Sequence, residues 1–232
     1  MFGDLRKAVC EANLDLAFRG LVMLTWGNAS AVDRESGHVV IKPSGLVYEK
    51  MKPRDMVVVN LSGEVVEGEL KPSVDLPIHL ALYAAFTQIG GIAHSHSHYA
   101  TCWAQACNPI PCLGTTHADY FCGDIPVTNS LRDGETGASY EQAVGQSIVR
   151  CFDGRDPLTC PAVLVAKHAP FTWGASVSQA VENSIVLEEV ARMAYHSYGL
   201  NPSLLPIPEH LLDKHFHRKH GDRAYYGQPG RK

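Results

Sequence analysis

The segment Gly90–His96, which reads GGIAHSH, constrains the fold of this chain more than any other stretch. In an extended segment alternate side chains share a face, so Ile92, His94 and His96 are expected on the same side. The run that follows, YATCWAQAC, has apolar residues at helical spacing, and Ser97 is suited to cap that helix. We therefore predict a strand that ends in a pair of histidines and turns directly into a helix.

A second apolar run, AVLVAKHAP, reaches His168 shortly before a proline, and we interpret it as another strand end that presents a histidine. Three imidazoles at two strand ends suit a metal ion with an open coordination position, because catalytic zinc sites use three protein ligands plus a water or substrate. A His-x-His pair by itself is more often a surface or core pair than a set of ligands. The metal site therefore needs support from other parts of the sequence.

Composition limits the class of protein. With 232 residues, 45% of them hydrophobic, the chain is long enough for one substantial domain, and no linker-like segment divides it. The formal net charge of -4 and the pI of about 6.3 favour neither nucleic acid nor an anionic membrane as a partner, so we expect a small substrate.

Charges interrupt the N-terminal stretch, which resembles neither a secretory signal nor a spanning helix, and this predicts a cytoplasmic location. The seven cysteines contain no Cys-x-x-Cys pair, so we expect mostly buried thiols.

The order of the predicted elements indicates a layered fold. Short strands occur in hairpins and also alternate with helices, which predicts a mixed sheet covered by helices on both faces. Asp4 is a candidate cap for the first helix, and Asp75 lies immediately before a helix that begins at about Pro77. Further helices are expected over about 140–152 and 178–198. These patterns predict an α/β or α+β domain.

Three turns offer groups that can bind a phosphate. Gly27-Asn28, Ser44-Gly45 and the segment 71–73 supply amides, hydroxyls and a carboxamide, with Lys42 close by in sequence. Glycine permits tight nests of backbone amides, and a nearby helix start adds positive potential. Each turn alone is as well explained as an ordinary hairpin turn. The sequence has no Walker P-loop and no G-x-G-x-x-G motif, so a nucleotide cofactor is not supported.

Several polar residues have two interpretations at this stage. Asp75 is explained most simply as a helix cap, but a carboxylate at that position can also act as a metal ligand or a base. His117 and Asp119 lie two residues apart in a polar loop. They could either form the turn or carry protons. The pair Tyr225-Tyr226 is equally ambiguous, because a phenol with a pKa near ~10 donates a proton only with assistance.

Six blocks in a consistent order resemble a known family. They are TWGN at 25–28, KPSG at 42–45, KPSVD at 71–75, HSH at 94–96, GTTHADYF at 114–121 and HAPFTWG at 168–174. Together they are similar to the class II aldolase/epimerase family, and within it to the L-ribulose-5-phosphate 4-epimerase branch. The segments LLDKHFHRKHG and AYYGQ, between Leu211 and Gln228, resemble the C-terminus of those epimerases and not that of the aldolases. The resemblance covers nearly the whole chain.

The resemblance implies a fold, a cofactor and a role for each matched residue. The implied fold is a single-domain three-layer α/β/α structure over 1–232 with a central mixed, largely antiparallel sheet, and the tail 209–232 contributes to the active site. The implied assembly is a homotetramer with sites at subunit interfaces and one Zn2+ per subunit. The implied metal residues are Asp75, His94, His96 and His168; the catalytic residues are Asp119, Tyr226 and His215; the substrate-binding residues are Gly27, Asn28, Lys42, Ser44, Gly45, Ser73 and Val74.

The implied reaction interconverts L-ribulose 5-phosphate and D-xylulose 5-phosphate by retro-aldol cleavage and re-formation of the bond between carbons 3 and 4. Two residues depart from the family pattern. Val74 replaces a serine and removes a hydroxyl from the expected anion site, at a cost of about 1.5 to 3 kcal/mol for a hydrogen bond to a charged group. Ala169 replaces the glycine that usually follows the third histidine. The alternatives are a fuculose-phosphate type aldolase, a zinc-dependent dehydratase and a non-catalytic domain similar to the adducin head.

Overall fold

A computed structural model describes residues 2–137, 139–221 and 224–226. The described chain contains one sheet of seven strands in the order β4-β3-β2-β1-β5-β7-β6. The strands are β1 Asn28–Asp33, β2 His38–Ile41, β3 Val57–Asn60, β4 Val65–Glu67, β5 Gly91–His94, β6 Ala162–Leu164 and β7 Pro170–Gly174. All neighbouring strands pair antiparallel. The predicted largely antiparallel sheet is confirmed, but among the described residues the parallel component of a mixed sheet is limited to an isolated bridge between Val127 and Leu164, outside the named strands.

Helices cover both faces of this sheet. They are α1 Gly3–Phe18, α2 Leu76–Ala85, α3 His98–Ala106, α4 Thr115–Ala118, α5 Tyr140–Cys151, α6 Val177–Leu200 and α7 Glu209–Lys219. The predicted helices at 140–152 and 178–198 are confirmed with small shifts at their ends. In the described part of the chain, no helix combines the length and apolar character needed to cross a membrane.

The alternation of side chains along the strands builds two cores. In β2, Val39 and Ile41 face the layer formed by α2 and α5, whereas Val40 faces α1 and the start of α6. In β5, Ile92 and Ala93 divide between the same two layers. Because each strand has apolar residues on both faces, the sheet is buried between two helical layers. The predicted three-layer α/β/α class is confirmed.

Close packing at the start of β5 explains its pair of glycines. A Cβ atom on Gly90 would lie 2.2 Å from the carbonyl oxygen of Ala175, and one on Gly91 would lie 2.3 Å from Cα of Val177. Residues without a side chain therefore allow the first turn of α6 to cross the sheet here. This contact fixes the strand that ends at His94.

Two local predictions were wrong in detail. Asp4 does not cap α1, because the helix begins at Gly3 and Asp4 lies in its first turn. His168 does not end a strand, because β6 stops at Leu164 and His168 lies in the turn that leads to β7. The turn is closed by hydrogen bonds between Val165 and Ala169 and from His168 to Val165, both 3.0 Å.

Candidate metal centre

His94, His96 and His168 converge at one point. Each offers a ring nitrogen, and these three atoms all lie within 4.8 Å of one another. The ring centroids of His94 and His96 are 4.9 Å apart, and those of His94 and His168 are 5.1 Å apart. His94 is buried at the end of β5, whereas His96 and His168 are partly exposed. The cluster therefore has a closed side at His94 and an accessible side at the other two rings.

The environment of His94 fixes which of its nitrogens is free. Its Nδ1 lies 2.9 Å from the carbonyl oxygen of Pro170, and because that oxygen can only accept, Nδ1 carries the proton. The ring stacks on Phe171 at a centroid distance of 4.1 Å. Burial lowers the pKa of His94 to about 3, although the nearby Asp75 opposes this shift. The ring is therefore neutral with a free lone pair on Nε2, the form required of a metal ligand.

The other two imidazoles fit the same purpose. Burial is also the main cause that lowers the pKa of His96 and of His168. Three neutral imidazoles with an accessible side match the donor set of a catalytic divalent metal site, which keeps a position for water or substrate. The residues of this chain therefore fit a metal ion at the cluster.

Asp75 lies beside the cluster at the start of α2. Its side chain does not cap the helix; instead Oδ2 accepts a 2.6 Å hydrogen bond from Nδ2 of Asn28. Asn28 also donates to Oγ of Ser73 at 3.0 Å. Burial raises the pKa of Asp75, but the imidazoles of His94 and His79 and the bond from Asn28 outweigh it, so the pKa is lowered. Asp75 is therefore a carboxylate next to the three rings, and it is not part of the group whose nitrogens meet within 4.8 Å.

A buried polar network lies beneath Asp75, which sequence reasoning missed. Oγ of Ser30 lies 2.7 Å from Nδ1 of His79 and 2.8 Å from the hydroxyl of Tyr83. Ser30 belongs to β1, and the other two belong to α2, so the network joins the sheet to the helix that carries Asp75. No motif signalled it, because each of the three residues resembles an ordinary core position in the sequence.

The three predicted turns are adjacent in the structure. The amide of Ser44 donates to the carbonyl of Lys71, and the amide of Ser73 donates to the carbonyl of Lys42, both at 3.0 Å. Gly45 has a φ of +69°, which favours glycine. Val74 is 64% exposed, so the missing hydroxyl at this position lies on the open side of the turn. These two bonds hold turns about 30 residues apart in sequence side by side, and they use the amides of Ser44 and Ser73 in the pairing.

Gly27 shows why the first of these turns needs glycine. Its φ is +72°, and a Cβ atom would lie 2.6 Å from the carbonyl oxygen of His94. Asn28 pairs with His94 across β1 and β5. The turn therefore lies against the metal ligand strand with no room for a side chain.

Lys42 occupies an unexpected position. It is only 2% exposed, and its Nζ donates to the carbonyls of Thr25 and Pro43 at 3.3 and 3.4 Å. Nζ also lies 4.9 Å from the ring of Tyr48, whose hydroxyl donates to the carbonyl of Trp26 at 2.6 Å. Burial lowers the pKa of Lys42 to about 8, and Asp75 opposes the shift. Through these bonds Lys42 connects the turn that follows Thr25 to the turn that follows Pro43. Tyr48, whose ring lies beside Nζ, is a residue of this site that sequence analysis missed.

Asp119 and the tail form a second cluster. The carboxylate accepts hydrogen bonds from His215 Nδ1 at 3.0 Å and from Arg218 Nε at 2.8 Å, with a further short bond from Arg218 Nη2. Lys219 lies 3.9 Å away. Burial raises the pKa of Asp119, but the bonds from Arg218 and His215 outweigh it and lower the pKa. Sequence analysis gave Arg218 no role, although Arg218 lies within the segment LLDKHFHRKHG that resembles the C-terminus of the epimerases.

Tyr226 belongs to this second cluster. Its ring lies 5.1 Å from the guanidinium of Arg218 and 4.7 Å from Nζ of Lys219. Within the described residues, the hydrogen bonds and ion pairs of the Asp119 carboxylate go to the tail and not to the three imidazoles. The predicted tail 209–232 also includes residues 222, 223 and 227–232, which lie outside the described residues.

His117 has a structural environment. It is 4% exposed, and its Nε2 donates to the carbonyl of Gly123 at 2.9 Å. Burial lowers its pKa to about 4. Of the two interpretations of this loop, His117 therefore fits that of a turn former.

Comparison with known proteins identifies the family. The sequence profile of the class II aldolase and adducin N-terminal domain matches residues 7–195. The chain belongs to this family. The L-ribulose-5-phosphate 4-epimerase UlaF of Salmonella paratyphi B is 54% identical over 224 residues, which cover 97% of this chain and 98% of that protein. The corresponding protein of Salmonella typhi is also 54% identical over the same shares.

Solved structures of class II aldolase family members share the fold. An L-fuculose 1-phosphate aldolase superposes with a TM-score of 0.79 at 24% identity, covering 93% of this chain and 95% of that one. YgbL from Klebsiella pneumoniae, described as a putative aldolase/epimerase/decarboxylase, gives a TM-score of 0.72 at 27% identity, with coverage of 91% and 97%. At 24% identity, the likeness to the L-fuculose 1-phosphate aldolase shows the fold alone.

We predict that removal of any imidazole from the cluster lowers metal binding. His94→Ala, His96→Ala and His168→Ala each leave two of three ligands, so purified protein dialysed against a weak chelator should lose metal that the parent protein retains. Atomic emission spectroscopy measures the metal-to-protein ratio. His98→Gln is the matched control, because His98 is exposed and outside the cluster. Equal retention by the three alanine variants would contradict the site.

We also predict that His117 makes stability depend on pH. Its folded pKa of about 4 lies below the ordinary 6.5, so between these values the unfolded chain binds a proton that the folded chain excludes. The stabilisation is complete above pH ~6.5 and is lost as the pH falls towards 4. The variant His117→Gln keeps an amide that can donate to Gly123 but loses the titrating group. Between pH 7 and pH 5, the free energy of unfolding of the parent protein should therefore fall by about 2 kcal/mol more than that of the variant. Urea unfolding at both pH values measures this, and parallel losses would contradict it.

Proposed function

We propose that this protein is a zinc-dependent epimerase that inverts carbon 4 of a pentulose 5-phosphate and interconverts L-ribulose 5-phosphate and D-xylulose 5-phosphate. The cluster of His94, His96 and His168 carries the proposal, because it fits a divalent ion with an accessible side. The 54% identity over 97% of the chain to a protein named L-ribulose-5-phosphate 4-epimerase supports the substrate. Three nitrogen ligands favour zinc over manganese, which prefers oxygen.

The position of carbon 4 determines the chemistry. It is one bond too far from the carbonyl at carbon 2 for its proton to be acidic, so direct deprotonation is unfavourable. Cleavage between carbons 3 and 4 leaves charge that delocalises into that carbonyl, and rotation of the released aldehyde followed by re-addition inverts carbon 4. A divalent metal at the three imidazoles supplies a Lewis acid that stabilises this charge as it develops.

The protein side chains then divide three tasks. The turns at Gly27-Asn28, Ser44-Gly45 and Ser73 hold the phosphate while the aldehyde rotates, since these turns lie together beside the strand that carries His94. Lys42 supports these turns from below and adds positive potential there. Val74 contributes backbone to the same site. Asp75 holds Asn28 in place and lies next to the metal, where we propose that it completes the metal environment.

Proton transfer is assigned to the second cluster. The lowered pKa of Asp119 makes it a carboxylate that can accept a proton, and Tyr226 supplies a phenol that can donate one. His215 orients Asp119 through its 3.0 Å hydrogen bond. The two groups serve opposite sides of the substrate, one for each epimer.

The separation of the two clusters supports a site shared between subunits. Asp119 and Tyr226 interact with the tail of their own chain, whereas His96 of the metal centre has an exposed aromatic neighbour. Trp26 is 49% exposed with its ring 6.0 Å from that of His96, and Leu24 and Met23 are more exposed still. Exposed apolar residues in a group mark an interface. We propose a homotetramer in which the tail 209–232, part of the same domain as 7–195, reaches the metal centre of a neighbour.

We predict that Tyr226→Phe slows epimerisation of L-ribulose 5-phosphate by about 10² to 10⁴-fold, because a general acid or base contributes on that scale. Metal content should stay at the level of the parent protein, since Tyr226 contacts Arg218 and Lys219 and not the imidazoles. A coupled assay for D-xylulose 5-phosphate and metal analysis measure the two quantities.

Tyr225→Phe is the matched control, because the adjacent phenol is 71% exposed and should leave the rate unchanged. Turnover by Tyr226→Phe at the parent rate would contradict the assignment. Trapping of free aldehyde by a dehydrogenase tests the aldolase alternative, which requires stoichiometric release of aldehyde during turnover by the parent protein.

We predict that two inactive variants complement each other when mixed. If Tyr226 of one chain serves the metal centre of the next, a co-expressed mixture of His96→Ala and Tyr226→Phe chains has intact sites at about a quarter of its boundaries. Activity of that order above the two single variants supports the shared site. Activity no greater than that of the single variants would place both residues in the same chain.

A further inference from the structure

One short helix contacts both chain segments that carry the imidazoles. α3 begins two residues after His96, at His98. Near its other end, the carbonyl of Ala104 accepts the amide of Lys167 at 3.0 Å, and Lys167 immediately precedes His168. The position of α3 therefore determines the relative position of ligands that are more than 70 residues apart in sequence.

The N-terminus of α3 is held by a residue from another helix. Ser97 stands at the cap position, but its side chain forms no capping bond and its buried hydroxyl has no partner in the described residues. The amides of Tyr99 and Ala100 instead donate to Oε1 and Oε2 of Glu188, at 2.9 and 3.0 Å. A carboxylate that accepts two amides at a helix N-terminus is a charge-assisted bond favoured by the helix dipole. Glu188 thereby fixes the junction between His96 and α3 to α6.

The C-terminal half of α3 is held by Lys167. In addition to the amide bond to Ala104, its Nζ donates to the carbonyl of Gln105 at 2.8 Å. Lys167 has a φ of +63°, a left-handed conformation that is uncommon for residues other than glycine. The two bonds hold this turn against α3, and the turn brings the ring of His168 parallel to that of His94, with an interplanar angle of 14°.

Packing between α3 and α6 makes the helix a rigid connection. Ala100 and Ala104 are fully buried against Leu187 and Ala191. The indole of Trp103 donates to the carbonyl of Ala191 at 3.1 Å. A shift of α3 at one end is therefore transmitted to the other, because small residues in close contact leave no room for independent movement.

We propose that Glu188 and Lys167 are positioning residues for the metal centre, which set its affinity for a divalent cation by fixing the two ends of α3. Neither side chain touches the imidazoles. When both are in place, the three rings are gathered before the ion arrives. When either is lost, ion binding must also order the junction, and affinity falls. This inference rests on the metal dependence of the proposed function and not on its sugar substrate.

Zinc affinity of the metal-free full chain tests the proposal, measured by competition with a chromophoric chelator. Loss of a group that orients metal ligands typically weakens binding by about 10 to 100-fold, and we expect the lower end of that range for Glu188→Ala and Lys167→Met. Glu188→Gln, which keeps one oxygen acceptor, should fall between Glu188→Ala and the parent. With Co2+ in place of zinc, the visible absorption of both variants should broaden, because the ligand geometry is less uniform.

Glu189→Gln is the matched control. It removes the same charge one residue along α6, where Glu189 pairs with Arg192 at 2.7 Å and does not contact α3. Its zinc affinity and cobalt spectrum should equal those of the parent. If Glu188→Ala does not fold by circular dichroism, Glu188→Gln and Lys167→Met decide the question.

Two results would overturn the proposal. The first is that Glu188→Ala or Lys167→Met folds and melts at a lower temperature but binds zinc as tightly as the parent protein. That result would show a purely structural role for the residue. The second is an equal loss of affinity in Glu189→Gln. Failure of the parent protein to bind zinc would instead refute the metal-dependent function, and zinc binding without epimerase activity would refute the substrate alone.

Discussion

The hydrogen bond between Nδ1 of His94 and the carbonyl of Pro170 is the contact on which the metal centre depends. It joins the end of β5 to the start of β7, where His94 pairs with Phe171 in the antiparallel ladder. Because the carbonyl only accepts, the bond fixes the tautomer and aims Nε2 away from the strand. Burial keeps the ring neutral by lowering its pKa, and stacking on Phe171 holds the plane of the ring. The pairing of β5 with β7 therefore determines the position of His94, the orientation of its ring and which of its nitrogens carries the proton.

The metal centre and the Asp119 cluster are held in place by different kinds of contact. His94 ends β5, and the other two imidazoles and the turns at Gly27-Asn28 and Ser44-Gly45 lie in segments that adjoin paired strands, where the two cores hold the backbone. Asp119 and Tyr226 are held instead by charges in the tail, from Arg218 and Lys219. A rigid centre that stabilises charge next to a carbon-carbon bond suits both aldol cleavage and epimerisation. In the function proposed above, the tail residues would set where protons are delivered, so changes in the tail would alter the outcome of the reaction without altering the metal centre.

The sequence predicted the parts of this arrangement that follow from local periodicity and from motifs. Alternation in GGIAHSH indicated the buried strand, and the glycines at 27 and 45 indicated turns, where both adopt positive φ. Contacts that depend on pairs distant in sequence were not predictable from these patterns. Asp75 resembled a helix cap, yet its side-chain partner is Asn28 at the start of β1. Glu188 caps a helix that begins 90 residues earlier, and Lys167 adopts a backbone conformation that its residue type does not favour. Such roles arise only when the sheet has brought the segments together.

The central claim is that three imidazoles bind one divalent ion and leave a position open for the substrate. X-ray absorption at the zinc edge of the metal-loaded protein tests it most directly. The account predicts nitrogen scatterers at about 2.0 to 2.1 Å with the multiple scattering of three imidazole rings, together with oxygen from water or carboxylate. Sulfur at about 2.3 Å, or fewer than three imidazoles in the first shell, would contradict it.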